Sequence, residues 1–230
     1  MKGICFIEPL FDATIQEIKK QTRRIVRAPK NSVGIQIQTR AMDGAFWGCF
    51  ALNEDEGTTN PKTDQEWVIN PRYKGGEIIY LKEPYYLLPD FIDKDVIYKF
   101  GYTDEMLNNP ALWKNNFIPK ANKIKWKNKL FMPASAARYF IQIADVQCER
   151  LQDISDEDCI KEGISEEFPE AYGLDNSYKR YFRCPDEISM EWFKTPQEAY
   201  AYLINKINGA GTWESNPFVW VYTYKLINRH

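Results

Sequence analysis

Histidine is almost missing from this sequence: the single copy, His230, is the last of 230 residues. A Ser-His or Cys-His nucleophile pair in the body of the fold is therefore excluded. So is a histidine-rich zinc or iron site. Acid–base chemistry must fall to Lys, Asp, Glu, Tyr, Cys or a Ser/Thr hydroxyl. Cysteine occurs five times, at Cys5, Cys49, Cys148, Cys159 and Cys184, and never as a C-x-x-C pair. Neither a zinc site nor a disulfide framework is indicated, and a reducing cytoplasm is the simplest setting. No apolar run approaches the ~18 residues that a membrane-spanning helix needs. The opening stretch, MKGICFIEPLFD, lacks a small-residue cleavage site and does not read as a signal peptide. An excess of one charge is also absent, since 30 Lys and Arg face 32 Asp and Glu. That excludes a strongly basic, non-specific nucleic-acid coat and leaves room for a local basic patch. P-loop, G-x-G-x-x-G, G-x-S-x-G and H-E-x-x-H patterns are missing as well.

What is present reads as a globular chain. Apolar residues make up 44% and charged residues 27%, and aromatics reach 15%, spread along the whole length, so most must lie in a core. The length suits one domain carrying insertions, with no need of disulfide or metal staples. Gly3 to Ile7 reads as a short strand closed by Glu8-Pro9. Phe11, Ile15 and Ile18 follow at helical spacing, with Asp12 or Thr14 as the N-cap. Ile35 and Ile37 alternate with polar residues. Ala45 to Leu52, Glu77 to Leu81, Asp95 to Phe100 and Tyr139 to Val146 are strand candidates, and Gly75-Gly76 is a turn. Pro84 and Pro89 bracket an irregular stretch. Met106 to Trp113 reads as a short helix. Ser155, Glu157 and Asp158 start a helix that Gly163 stops. Phe168 to Ile188 has no period. Thr195 to Ile207 reads as a helix closed near Gly209, and Pro217 to Leu226 as a final strand. The sum is a mixed α+β chain with a substantial sheet or barrel.

Charge is segregated along the chain. Ile18 to Arg40 holds seven positive residues and no acid, and Leu112 to Tyr139 holds seven more. Leu151 to Glu170 holds eight acids against Lys161 alone. The basic stretch Lys114 to Lys129, interleaved with Trp113, Phe117 and Trp126, resembles a single-strand nucleic-acid surface, where aromatics stack bases and lysines track phosphates. It reads better as a solvated loop whose aromatics anchor it to the core.

Four segments together resemble one family. ICFIEPLFDATIQEIKKQTRR (Ile4 to Arg24) is similar to the opening of phage and prophage ASCH-domain proteins, where a strand and helix lead into G-R-K-T-Q-T-R-R. GEIIYLKE (Gly76 to Glu83) resembles G-D-R-L-W-V-R-E. Trp126 to Ile164 carries the longest likeness, with the run ERLQDISDED and then Glu162-Gly163. WESNPFVWVY (Trp213 to Tyr222) resembles W-D-x-N-P-W-V-W-V. The order is the same as in the family, and the segments span nearly the whole chain.

The resemblance implies a PUA-like β-barrel, mostly antiparallel, of about five to six core strands with packed helices. It would form a single domain over residues 1–230, with insertions at about 53–75, 84–125 and 164–194. It implies an RNA or nucleotide-type ligand in a barrel cleft, no metal or organic cofactor, and no membrane. A bacterial branch of the family contains amidohydrolases that deacetylate N4-acetylcytidine with a Lys, a Thr and a Glu. Those positions fall on Lys19, Thr22 and Glu162 here. In that reading Thr22 is the nucleophile, Lys19 its base if burial lowers the amine's pKa, and Glu162 the group that holds the lysine and exchanges protons with the leaving amine. A structural Lys–Glu pair is the other reading of these residues. Gln21, Arg23 and Arg24 are candidates for gripping a phosphate or base edge. Alternation admits one arginine to the cleft, and Arg24 shares its face with Thr22. Lys82, Glu83 and Arg138 fall on matched positions near strand ends; Glu83 and Arg138 read as a buried pair or as ligand contacts. Trp213, Asn216, Pro217 and Trp220 read as structural. The sequence departs from the motif in places. Glu17 replaces the turn glycine, Lys20 the first threonine, and Lys82 an arginine. A phage morphogenesis or interaction protein without a ligand is a third reading.

Overall fold

Pattern and composition lead to strands first. The computed structural model describes residues 1–30, 32, 34–39, 46–52, 68–87, 96–99, 125–167, 181–183 and 192–227. Over these residues the chain is mixed α+β with mostly antiparallel sheets. The strands are β1 (Gly3–Cys5), β2 (Gln21–Ile25), β3 (Gly34–Thr39), β4 (Phe46–Leu52), β5 (Ile78–Lys82), β6 (Tyr85–Leu87), β7 (Val96–Tyr98), β8 (Phe140–Arg150), β9 (Ser165–Glu167), β10 (Tyr181–Arg183), β11 (Trp192–Phe193) and β12 (Phe218–Ile227). The helices of six residues or more are α1 (Glu8–Ile15), α2 (Asp156–Lys161) and α3 (Pro196–Asn208). Five strands form one sheet in the order β1-β5-β8-β12-β2, with β1 and β2 at its ends; no closed barrel is formed among the described residues. The helix expected at Met106 to Trp113 lies outside the described residues, as do Trp113, Phe117 and the lysines Lys114, Lys120 and Lys123.

The chain divides into two compact units. The first comprises residues 1–12, 78–141 and 226–230. Here β1 runs parallel to β5, with Gly3 opposite Tyr80. A Cβ on Gly3 would sit 2.6 Å from the Lys82 side chain and 2.7 Å from the Tyr80 ring, so a larger residue would push both side chains aside. The segment around Pro84, expected to be irregular, forms β6 instead and pairs antiparallel with β7. Two 3-10 turns, Lys129–Phe131 and Ala134–Ala136, follow, and Met132 between them is buried with Tyr85 and Ala136. The Tyr80 hydroxyl donates to the Met132 carbonyl at 2.8 Å and the Tyr98 hydroxyl to the Ala136 carbonyl at 2.8 Å, which fixes the turns.

The second unit comprises residues 13–77 and 142–225. β12 pairs antiparallel with β2, setting Tyr222 opposite Thr22 and Trp220 opposite Arg24. The Asn-Pro turn before β12 forms with Asn216 at φ 43, a left-handed position that Asn tolerates. α3 opens on the expected Thr195 with a full capping box: the Thr195 side chain accepts from Glu198 N–H, and Glu198 reaches back to the Thr195 N–H. It buries Ala199, Tyr200, Leu203 and Ile204, an i, i+1, i+4, i+5 stripe from Ala199, and ends at Gly209. α2 opens on Ser155, whose hydroxyl accepts from Asp158 N–H, as expected. The stretch from Phe168 to Ile188, which shows no period in sequence, contains β10, which pairs with β9 and β11.

One boundary differs from expectation in a way that matters below. α1 begins at Glu8, so Asp12 and Thr14 lie inside it and do not cap it. Pro9 does not end the strand; it occupies the first helical turn, where a missing N–H costs nothing. The helix stops before Ile18, which is 49% exposed. Glu17 takes the left-handed conformation, φ 59, and the N–H groups of Ile18 and Lys19 both return to the Ala13 carbonyl.

Candidate functional site

The turn at Glu17 delivers Lys19 to the start of β2, an end strand of its sheet. The next residue, Lys20, donates its N–H to the Lys161 carbonyl at 2.8 Å, which ties β2 to the end of α2. Glu162 follows as the C-cap of α2. The geometry therefore aims a cation at a helix C-terminus, the end that carries partial negative charge. The Lys19 ammonium donates to the Glu162 carboxylate Oε2 at 2.6 Å, to the Glu162 carbonyl at 2.8 Å and to the Gln21 carbonyl at 2.7 Å. All three of its N–H donors are used. Lys19 is 1% exposed and Glu162 4%. Burial holds the Lys19 pKa below the usual lysine range; Glu162 opposes this, and Arg24 and Arg23 add to it.

Arg23 builds the rest of the cluster. Its Nε donates to Glu149 at 2.9 Å, one terminal nitrogen to Gln21 at 2.7 Å and Glu162 at 3.2 Å, and the other to Asp158 at 3.1 Å; that last nitrogen also lies 2.8 Å from Glu149. The guanidinium makes four hydrogen bonds to four side chains, a fork that lysine cannot reproduce. Lys161 closes on Asp158 at 2.8 Å. Three cations (Lys19, Arg23, Lys161) thus face three carboxylates (Glu149, Asp158, Glu162), and the cluster is neutral. Burial would depress the Arg23 pKa, but Glu162, Tyr200 and Glu149 raise it, so its charge is fixed. Burial also pushes the Cys159 thiol up to about 12, leaving it a protonated, unreactive group beside the cluster.

Of the residues singled out in the sequence, the fold brings Lys19, Gln21, Arg23 and Glu162 into direct contact. Gln21 bridges Arg23 and the Thr223 hydroxyl. Thr22 is buried at 4% exposure and, by strand alternation, points to the face opposite Gln21 and Arg23. Arg24 shares the Thr22 face and is exposed, whereas Arg23 is the arginine held in the cluster. Both arginines lower the Lys19 pKa although they leave opposite faces of β2, and the ammonium itself is held by Glu162 and the Gln21 carbonyl. Sequence reasoning missed Glu149 and Tyr200. Glu149 lies three residues beyond the expected end of β8. Tyr200 looked like ordinary aromatic core.

The first unit holds the remaining candidates. The Glu83 carboxylate, buried, takes two hydrogen bonds from Arg138, from Nε at 2.8 Å and from a terminal nitrogen at 2.8 Å. Burial raises the Glu83 pKa, against the lowering effect of Arg138. The Arg138 guanidinium also lies over the Tyr98 ring at 4.3 Å and the Tyr139 ring at 4.9 Å. Lys82 donates to the Leu130 carbonyl at 2.8 Å and Lys129 to the Phe6 carbonyl at 2.6 Å. These two bonds brace the turn that presents Leu130, 58% exposed, and Phe131, 78% exposed, to solvent. Lys125 and Lys127 are exposed just before it.

Among the described residues no group of three or more His, Cys, Asp or Glu could hold a metal ion, and no helix is long and apolar enough to cross a membrane. No family model, curated protein or solved structure matches this chain.

Proposed function

We propose that this chain is a PUA-like, ASCH-type protein of the phage and prophage kind that deacylates a modified nucleoside such as N4-acetylcytidine. The observation that carries the proposal is the buried Lys19–Glu162 pair, joined at 2.6 Å with side chains 1% and 5% exposed. A desolvated lysine held against a carboxylate is a group prepared for proton transfer. In this reading the pair neutralises itself by moving one proton from the Lys19 ammonium to Glu162. The free amine then takes the proton of the Thr22 hydroxyl as its oxygen attacks the acyl carbon. The carbon–nitrogen bond breaks, an ester forms on Thr22, and Glu162 returns its proton to the leaving amine. Water attacks the ester as Glu162 takes its proton, Lys19 passes a proton back to the Thr22 oxygen, the acid is released, and the Glu162 proton returns to the Lys19 amine. Thr22 leaves β2 on the face opposite Gln21 and Arg23, so this sequence requires the Lys19 amine to turn from Glu162 toward that face.

The test is hydrolysis of N4-acetylcytidine by the purified chain. Thr22→Ala and Lys19→Met are expected to lower kcat by about 10³-fold or more, as loss of a member of a nucleophilic site does. Turnover unaffected by Thr22→Ala would overturn the proposal.

A second reading, recognition of RNA or a nucleotide-type ligand, is favoured by the exposed Phe131 beside Lys125 and Lys127. An aromatic face among lysines stacks a base while the amines meet phosphate. A short single-stranded RNA should bind more weakly to Phe131→Ala by about 1–3 kcal/mol, with affinity falling as salt rises. Equal binding by both proteins would remove this reading.

A further inference from the structure

Two cysteines meet inside the second unit. Cys49 lies on β4 and Cys148 near the end of β8. One short stretch of backbone is tied to both strands. Val68 bridges Phe50, and the Ile69 N–H donates to the Cys49 carbonyl at 2.8 Å. A few residues on, the Gly76 N–H donates to the Ile143 carbonyl of β8 at 2.8 Å. The two side chains complete the link, because the Cys148 thiol donates a hydrogen bond to the Cys49 sulfur. Both are free thiols. Contact between the sulfurs is the first requirement for a disulfide, and cysteines on distant strands cannot meet it. The shared hydrogen bond also divides the pair. It holds the Cys49 pKa below the usual thiol value, against the effect of burial, and raises that of Cys148, which burial raises further. Thiolate is the reactive form of cysteine. Cys49 is therefore the attacking sulfur, and Cys148 stands beside it to resolve the product. Access decides what can react. Cys49 is fully buried and Cys148 is 7% exposed. A molecule as small as hydrogen peroxide can reach such a pair, whereas a peptide disulfide cannot.

We infer that Cys49 and Cys148 form a redox site, which closes to an intrachain disulfide on reaction with hydrogen peroxide and excludes larger disulfide oxidants. The Cys49 thiolate attacks one peroxide oxygen. The O–O bond breaks, a sulfenic acid forms on Cys49, and the other oxygen leaves as water with the proton that Cys49 gave up. The Cys148 sulfur then attacks the Cys49 sulfur. The S–S bond forms, the S–O bond breaks, and a second water leaves with the Cys148 proton. Two electrons pass from the thiols to the peroxide. A bond of this kind, made only when an oxidant arrives, belongs to redox sensing and not to the folding framework.

The test is peptide mapping of the full, unaltered chain. The reduced protein is treated at neutral pH with hydrogen peroxide or with oxidised glutathione, its remaining thiols are alkylated in denaturant, and it is digested without reductant. With peroxide, mass spectrometry should find the Cys49 and Cys148 peptides joined, lighter by two hydrogens, and separated again by dithiothreitol. Oxidised glutathione should act about tenfold more slowly or not at all, since exchange depends on access to the attacking sulfur. Cys148→Ser removes the resolving thiol, so peroxide should leave Cys49 as a sulfenic acid that dimedone captures. The map of the unaltered chain decides the matter even where that variant folds poorly. Recovery of Cys49 and Cys148 as alkylated thiols after peroxide overturns the site. So does a disulfide that joins either of them to Cys5, Cys159 or Cys184. Joining by oxidised glutathione as fast as by peroxide overturns the choice of oxidant.

Discussion

Lys19 and Glu162 lie 143 residues apart in the chain and 2.6 Å apart in the fold. The pair joins the turn after α1 to the end of α2, and neither side chain is more than 5% exposed. Two buried opposite charges are tolerated only because their remaining hydrogen-bonding capacity is met, by the Gln21 and Glu162 carbonyls for Lys19 and by Arg23 for Glu162.

Removing one partner should therefore cost more than the pair itself contributes. Lys19→Met leaves a carboxylate short of its closest donor, and Glu162→Gln leaves an ammonium without its counter-charge. Each change is expected to lower unfolding free energy by about 3–5 kcal/mol. The double variant removes both charges together and should lose clearly less than the sum of the singles. A double-mutant cycle in urea reads this as a coupling of more than about 1 kcal/mol. Additive losses would show that the two side chains do not act as a unit.

A smaller effect is expected at the turn that places Lys19. Glu17 holds φ 59, a conformation that costs an L-residue about 1–2 kcal/mol and costs glycine little. Glu17→Gly should raise unfolding free energy by up to about 1 kcal/mol, because the relief exceeds the added flexibility of the unfolded chain. Glu17→Ala keeps the strained conformation and should give no such gain. Equal stabilities for the two variants in urea would mean that the turn is not under strain.

How much of this was legible in the sequence depends on the range of the signal. α3 could be read because its cap, its stripe and its stop are all local: Thr195 and Glu198, then the buried run to Ile204, then Gly209. β12 could be read from alternation alone. The start of α1 could not, because Glu8-Pro9 is as good an end to a strand as a beginning to a helix. β10 was missed because a three-residue strand leaves no period. Lys19 and Glu162 were singled out only through the family likeness; no local pattern links residues so far apart. The cluster around Arg23 was out of reach for a related reason. Alternation limits one face to one of Arg23 and Arg24, but which face receives Glu149, Asp158 and Glu162 is decided by how α2 meets β2. That is a tertiary fact, and it puts Arg23 inside and Arg24 outside.

The buried titratable groups set the alkaline behaviour of the fold. Burial raises the pKa of Tyr98, Tyr200, Tyr222 and Tyr224 above the usual phenol value near 10. A raised acid keeps its proton longer in the folded state than in the unfolded one. Its contribution is whole below pH about 10 and is lost as pH climbs beyond it. Lys19 has the opposite sign. Its pKa is lowered by burial, so the folded chain sheds that proton first, and between the folded value and about 10.4 stability rises with pH. The Cys159 thiol, pushed up to about 12 by burial, has the sign of the tyrosines and opposes the lysine from pH about 8.5 upward. Above pH about 10 the four tyrosines add to it. Urea midpoints should accordingly fall from pH 8 to 11.5, with the lysine flattening the early part of the fall. Lys19→Met should steepen the fall below pH about 10, and Tyr200→Phe should soften it above. If Lys19→Met leaves the early slope unchanged, the lysine is not desolvated, and the base that the hydrolase reading needs is lost with it.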